Sequence, residues 1–188
     1  MRDLLKGSNI KLTAVNDSDL PVIADWFNDA GFLRYYDMIP AQPMSLRQME
    51  DFIKDFEASG EKFIYAVREN NTGKIIGVAG FEEIIWSNGV ATVFIGIGDK
   101  GYTGKGLGKE AMKLLLDFGF NELNFYRVNL NVISYNETAI RLYEGLGFVR
   151  EGTYREFILR DGKRFDMYLY GMLRPEWDNK LNNTAAIR

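Results

Sequence analysis

A run of glycines stands directly before a segment with helical periodicity, and this combination could bind a phosphate group. Six glycines lie between residues 96 and 108, and apolar residues then recur from Leu107 to Phe118 at helical spacing. The first N–H groups of a helix have no partner within the helix and carry a partial positive charge. Because glycine has no side chain, it lets a bulky anion approach these groups closely.

Two common phosphate motifs do not fit this run. A literal GxGxxG spans residues 96–101, but the helix does not begin at its last glycine, as a dinucleotide fingerprint requires. A Walker A loop would need glycine in place of Asp99 and Ser or Thr in place of Gly106. The interpretation that remains uses Gly104, Gly106 and Gly108, with a flexible surface loop as the alternative.

The composition excludes several classes of protein. The chain has 188 residues, no histidine, no cysteine and a net charge of −3. It therefore has no Ser-His-Asp triad, no cysteine nucleophile and no Cys/His zinc site, so a reacting thiol must come from outside the chain. For the same reason we expect no metal. We also expect no nucleic-acid partner, because no basic patch is evident. Without a long apolar run, we also expect no membrane span and a cytoplasmic protein.

The order of predicted elements is typical of an α/β fold with a mixed sheet. Apolar patterns predict the order β-α-α-β-β-β-α-β-α-β-β. Helices are predicted at 17–31, 45–60, after the glycines and at 136–147, and the last two strands form a hairpin over Asp161-Gly162. We expect one domain over residues 1–174, followed by a C-terminal tail over residues 175–188.

The glycine-rich loop and a second motif together resemble the GNAT family of acyl-CoA-dependent N-acetyltransferases. The family loop reads Gln/Arg-x-x-Gly-x-Gly/Ala, and Gly106 and Gly108 match it, whereas Thr103 departs from Gln/Arg. The second motif is NETAIRLYEGLGF, at 136–148. The resemblance covers about residues 8–173 and is strongest to the branch with ribosomal-protein N-terminal and spermidine acetyltransferases. It implies a GNAT fold, with a mostly antiparallel sheet of about seven strands flanked by about four helices.

The resemblance gives roles to two residues of the second motif. In the family the asparagine at the position of Asn136 contacts the pantetheine arm or phosphates, and the tyrosine at the position of Tyr143 faces the thiol sulfur. The two residues are seven apart, which is two helical turns, so they share one face. A tyrosine with a pKa near 10 can protonate a leaving thiolate. The alternatives are a helix N-cap for Asn136 and a core tyrosine for Tyr143.

The resemblance also implies acetyl-CoA as co-substrate. Unpaired backbone N–H groups around Ile95 to Ile97 could stabilise the oxyanion of an attacked thioester where two strands splay apart. The predicted cofactor-binding residues are Ile95, Gly96, Ile97, Thr103, Gly104, Lys105, Gly106, Leu107, Gly108, Lys109 and Asn136.

The general base and the acceptor are less clearly marked. Glu82 and Glu83 are the nearest candidate bases, and strand alternation turns only one of them inward. Alternatively, both glutamates are solvated charges at the end of the strand, and a chain of water molecules carries the proton to bulk solvent. The segment 25–38 combines aromatic and acidic residues, as would suit a cationic amine, and also fits an ordinary amphipathic helix. We predict acetyl transfer to a polyamine-like small molecule or a protein N-terminus, by a monomer or homodimer. A non-catalytic acyl-CoA sensor is the alternative, and Tyr143 favours the enzyme.

Overall fold

The computed structural model describes residues 3–185. Its strands are β1 (Ile10–Thr13), β2 (Phe63–Glu69), β3 (Ile75–Ile85), β4 (Val90–Ile97), β5 (Arg127–Ile133), β6 (Val149–Arg160) and β7 (Lys163–Leu173). Its helices are α1 (Leu20–Phe27), α2 (Ala30–Tyr36), α3 (Leu46–Ala58), α4 (Leu107–Asn121), α5 (Glu137–Leu146) and α6 (Arg174–Ala185). Among these residues no helix combines the length and apolar character that a membrane crossing requires.

The seven strands form one sheet in the order β1-β2-β3-β4-β5-β7-β6. Every neighbouring pair is antiparallel except β4 and β5, which are parallel. Within the described residues this parallel pairing is limited to Val90–Thr92 with Arg127–Asn129. Both strands continue beyond it without pairing to each other, so a wedge opens in the middle of the sheet.

Helices cover the two faces of the sheet, and strand alternation decides which face each side chain joins. Ala91 and Val93 of β4 belong to the larger core, which α4 joins through Ala111 and Leu115. On the opposite face α1, α2 and α3 pack on Val78 and its neighbours in a second core. The wedge between β4 and β5 therefore has a helical layer on both sides.

The predicted α/β plan with seven strands is confirmed, and the described residues hold six helices rather than about four. The helix predicted over 17–31 is two helices, because the chain turns at Asn28 and Asp29. The Asp29 carboxylate accepts a hydrogen bond from the Gly31 amide (2.8 Å) and so begins α2. Gly31, interpreted from the sequence as a helix end, lies in the first turn of this second helix.

The segment predicted as a C-terminal tail contributes the other additional helix. Trp177 of α6 is 2% exposed and is part of the larger core. Its indole N–H donates to Asp117 Oδ1 (3.2 Å), and its ring stacks on Phe120 with centroids 6.4 Å apart. The described part of this segment thus packs against α4.

Candidate active site

A cavity of about 800 Å³ occupies the wedge between β4 and β5 and extends under α2 and α3. It brings together predicted residues from β3 and β4, from the glycine loop and from the start and middle of α5. The predicted site residues that line it are Glu82, Ile95, Gly96, Ile97, Thr103, Gly108, Asn136 and Tyr143. The other predicted residues, Glu83, Gly104, Lys105, Gly106, Leu107 and Lys109, lie outside this lining.

The loop before α4 presents bare backbone at the helix N-terminus. Gly104 and Gly106 have φ angles of +72° and +79°, and Gly106 is the N-cap of α4. Other residues rarely adopt this conformation. A Cβ atom on either glycine would meet nothing within 4 Å, so the space beside both is open. These two residues form a cradle that fits a pyrophosphate group at the positive end of a helix.

The remaining loop residues contribute charge and anchoring. Thr103 Oγ1 donates to the Lys100 carbonyl (2.9 Å), so its side chain is used within the loop. The side chains of Lys105 and Lys109 are exposed beside the cradle. Leu107 is buried in the larger core and fixes the first turn of α4. The loop therefore offers two ammonium groups near an open backbone.

Gly108 has a different role from the cradle glycines. A Cβ atom on it would lie 3.6 Å from Leu142 Cδ1 and 3.7 Å from Ile97 Cγ1, which is ordinary van der Waals contact. Its backbone has no positive φ angle. The start of α4 therefore lies close to β4 and α5, with room for a small side chain at Gly108.

The register of β4 directs two of its amides into the wedge. The Gly98 amide donates to the Ile76 carbonyl (3.0 Å), which places residue 98 among those that bond to β3. Because the bonding direction alternates along an antiparallel strand, the N–H groups of Ile95 and Ile97 point to the β5 side. The pairing of β4 with β5 ends at Thr92, before these two residues. These amides therefore face the cavity, where they could stabilise a developing oxyanion.

Tyr143 lines the cavity with a protonated hydroxyl. It is 8% exposed, packs edge-on to Phe148, and burial raises its pKa to about 12. Within the described part of the chain its hydroxyl makes no hydrogen bond. A core tyrosine normally satisfies its hydroxyl with an acceptor, so this one is free to donate to a bound molecule.

Asn136 serves as the N-cap of α5. Its Oδ1 accepts from the Ala139 amide (3.2 Å), and its Nδ2 donates to the Tyr35 carbonyl (3.1 Å). The capping alternative from the sequence is therefore correct, and the residue lines the cavity as well. The same side chain connects the start of α5 to the end of α2.

The two candidate bases differ in the direction of their side chains. Glu82 is half-buried and lines the cavity, opposite Thr92 of β4. Glu83 has a φ angle of +50°, is exposed, and accepts a hydrogen bond from Thr92 Oγ1 (2.9 Å). Burial, and then the negative charges of Glu83 and Asp37, raise the pKa of Glu82, against a smaller effect of Lys62. Glu82 is thus the one that alternation turns inward.

Tyr36 is a site residue that the sequence did not single out. It lines the cavity, burial raises its pKa, and both Glu82 and Tyr143 lie close enough to raise it further. A Cβ atom on Gly96 would lie only 2.7 Å from Tyr36 Cδ2 and from Phe32 Cζ. Gly96 is therefore required for the close approach of α2 to β4. The aromatic composition of the segment 25–38 indicated that rings could line the site, but it did not show that Tyr36 would be one of them.

The end of α2 and the chain after it are held by the β6–β7 hairpin. Arg160 Nη2 donates to the carbonyls of Asp37 (3.2 Å), Met38 (3.1 Å) and Ile39 (3.0 Å). The Tyr135 hydroxyl donates to the Arg34 carbonyl. Carbonyls at a helix C-terminus lack intrahelical partners, so these bonds fix one wall of the cavity.

An open cradle at a helix N-terminus, a splayed pair of strands and a free tyrosine hydroxyl are together suited to acyl transfer. The family model described as "Acetyltransferase (GNAT) domain" matches residues 9–149. The chain belongs to the GNAT acetyltransferase family. The prediction of an N-acetyltransferase, which transfers acetyl to an amine, is confirmed.

Curated relatives and solved structures agree with this family. The chain is 33% identical over 146 residues to spermidine N(1)-acetyltransferase of Escherichia coli, covering 77% of this chain and 75% of the relative. It is 26% identical to the [ribosomal protein uS5]-alanine N-acetyltransferase of Escherichia coli, covering 87% of each. The structure resembles spermidine N-acetyltransferase from Vibrio cholerae in complex with CoA and spermine. That match has a TM-score of 0.85 and 25% identity, and covers 92% of this chain and 100% of the other.

Proposed function

We propose that the acetyl donor is acetyl-CoA and that the reaction takes place in the cavity between β4 and β5. The observation that carries this proposal is that three features converge on that cavity and a fourth lies next to it. The three are the amides of β4 that face the cavity, the free hydroxyl of Tyr143 and the raised pKa of Glu82. The fourth is the glycine cradle, which lies in the chain between Thr103 and Gly108 of the cavity lining.

The residues of the chain suit the cofactor's two chemical ends. Gly104 and Gly106 would accept the pyrophosphate at the N-terminus of α4, with Lys105 and Lys109 neutralising its charge. Asn136, at the start of α5, would contact the pantetheine arm. When bound, acetyl-CoA supplies the acetyl group and a thiolate leaving group. No step of this chemistry needs a metal, and the absence of a metal from the reaction stays a prediction.

Each chemical step has a residue in the cavity. Glu82 takes a proton from the acceptor ammonium, so that the amine nitrogen can form its bond to the acetyl carbon. The amides of Ile95 and Ile97 stabilise the oxygen of that carbon as it gains negative charge. Tyr143 donates its proton to sulfur as the carbon–sulfur bond breaks, and the second proton that the attacking nitrogen loses as the amide forms restores the Tyr143 hydroxyl. Because burial raises the pKa of Tyr143 to about 12, the hydroxyl is fully protonated at neutral pH.

The proposed acceptor is a primary amine, either of a small molecule or of a protein N-terminus. One relative is named for spermidine and another for an N-terminal alanine of a ribosomal protein, and both acceptors supply such an amine. Their names do not transfer to this chain as substrates. A location in the cytoplasm and a monomeric or homodimeric state stay predictions.

Ligand-induced stabilisation and thiol release test this proposal together. A ligand at about one hundred times its dissociation constant adds roughly 2.7 kcal/mol to the free energy of unfolding. For a domain of this size we expect acetyl-CoA to raise the melting temperature by about 5–10 °C, and NAD to leave it unchanged. Thiol release is then measured with acetyl-CoA and a panel of amines. If acetyl-CoA stabilises the protein but releases no thiol with any of the amines, the result would support the sensor instead.

A further inference from the structure

Six aromatic side chains wall the part of the cavity that lies under α2 and α3. This aromatic wall consists of Phe27, Phe32, Tyr36, Phe52, Phe56 and Phe94, all of which line the cavity. Successive ring centroids lie 5.1–5.8 Å apart, from Phe32 through Tyr36, Phe27, Phe52 and Phe56 to Phe94. The wall begins over Gly96 and returns to β4 at Phe94. A continuous aromatic surface therefore lies beside the backbone amides of Ile95 and Ile97.

The negative charge of the cavity is confined to one place. Three carboxylates line it, but Asp55 is paired with Lys62 at 2.5 Å. Within the described residues, Asp37 and Glu82 form no ion pair, and Asp37 is close enough to raise the pKa of Glu82. The two residues therefore form a single anionic position beside the aromatic wall.

The aromatic wall also holds a cation of the protein itself. Lys62 Nζ lies 5.6 Å from the centroid of Phe56, within the range of a cation–π contact. A second ammonium group that lay along the wall would lose its hydration and would find the Asp55 carboxylate already paired with Lys62. An apolar group in the same position would bury its surface against the rings.

We propose that the acceptor is a primary amine with a single positive charge on an apolar body. This inference rests on the proposed function and narrows its acceptor. The ammonium group lies at Asp37 and Glu82, and the body packs on the aromatic wall. A free alkyl or arylalkyl amine has this chemistry, and so does a peptide N-terminus with an apolar first residue. A polyamine, with further ammonium groups along its length, does not.

A matched pair of amines tests the proposal directly. Hexylamine and 1,5-diaminopentane have the same number of chain atoms and differ in a terminal methyl or ammonium group. Calorimetry measures the affinity of each amine for the protein saturated with CoA, and kcat/KM is measured with acetyl-CoA. We expect hexylamine to be favoured by about tenfold or more in both quantities. Equal or tighter binding of the diamine would overturn the proposal.

Two lysine variants test the part played by Lys62. Lys62→Met removes the cation at the aromatic wall and leaves the Asp55 carboxylate free to pair with a second ammonium group. Lys54→Met removes an exposed cation of α3 outside this cavity. We expect Lys62→Met to reduce the preference for hexylamine by about threefold, in line with one partly exposed charge interaction. Lys54→Met keeps the parental preference. If Lys62→Met also keeps it, Lys62 does not exclude the second ammonium and the argument from charge fails.

The two readouts separate this inference from the proposed function. Tighter binding of hexylamine without acetylation of any amine would support the acceptor class and refute catalysis. Efficient acetylation that favours diamines or spermidine would support catalysis and refute the acceptor class. Comparison of 2-phenylethylamine with a C-terminally amidated tetrapeptide that begins with phenylalanine then distinguishes a free amine from a peptide N-terminus, because both carry the same ring and a single ammonium group.

Discussion

Replacing Tyr143 by phenylalanine separates a proton donor from a core tyrosine, and the structure provides a matched control. The Tyr143 hydroxyl has no hydrogen bond within the described residues, so its removal leaves the free energy of unfolding nearly unchanged. Tyr170 is also buried, but its hydroxyl donates to Glu144 Oε1 at 2.8 Å. Tyr170→Phe should therefore lower the free energy of unfolding by about 1 kcal/mol, or roughly 2–4 °C in melting temperature.

Turnover should respond in the opposite way. If Tyr143 protonates the leaving sulfur, Tyr143→Phe lowers single-turnover acetyl transfer by about 10²–10⁴, which corresponds to roughly 2.7–5.4 kcal/mol of activation free energy. The affinity for acetyl-CoA, measured by calorimetry, stays at the parental value, and Tyr170→Phe keeps parental turnover. Parental turnover in Tyr143→Phe would refute the role of proton donor. Loss of acetyl-CoA binding in this variant would instead assign the tyrosine to cofactor orientation.

Three further changes test other parts of the site and fold. Gly106→Ala and Gly73→Ala both place a side chain at a positive φ in open space, so each costs about 1–2 kcal/mol of stability. Only Gly106→Ala should weaken acetyl-CoA binding in calorimetry. If both variants bind acetyl-CoA with equal affinity, the glycine cradle is not the phosphate site. The parental kcat/KM should rise with pH through the pKa of Glu82, above the ordinary 4.5, as the carboxyl loses its proton. Glu82→Gln should abolish this rise, and a retained rise would exclude Glu82 as base. Trp177→Ala should cost about 3–5 kcal/mol in chemical denaturation if α6 belongs to the domain, and a value near zero would favour a separate tail.

Local sequence patterns were sufficient for the sheet and for the cradle. Alternation along β3 predicts that one of the two adjacent glutamates turns inward, and Glu82 does so. Glycines before a helix predict open backbone there, as Gly104 and Gly106 have. These features depend on residues close together in the chain, which is why periodicity and spacing can identify them.

Features that depend on distant residues could not be predicted. The break between α1 and α2 results from a side-chain cap by Asp29 inside a segment whose apolar pattern continues across it. Tyr36 reaches the cavity only because Gly96, sixty residues later, leaves space for its ring. Gly96 and Gly106 are both glycines of one short segment, but the first admits a neighbouring ring and the second adopts a positive φ. Composition alone does not distinguish these two reasons.

The short parallel joint in the sheet also has a consequence for the order of folding. Strands β2, β3 and β4 pair as neighbours in sequence, and so do β6 and β7, whereas β4 meets β5 across the whole of α4. Local pairings close small loops and form early, while a pairing of three residues across a long connection gains little to offset its loop entropy. We therefore expect the two halves of the sheet to form first and to dock late, with the fastest exchange among the hydrogen-bonded strand amides at Val90–Thr92. The cavity would then be completed only in the last step of folding, and a molecule bound across the joint would slow the exchange of those amides more than any other paired amides in the sheet.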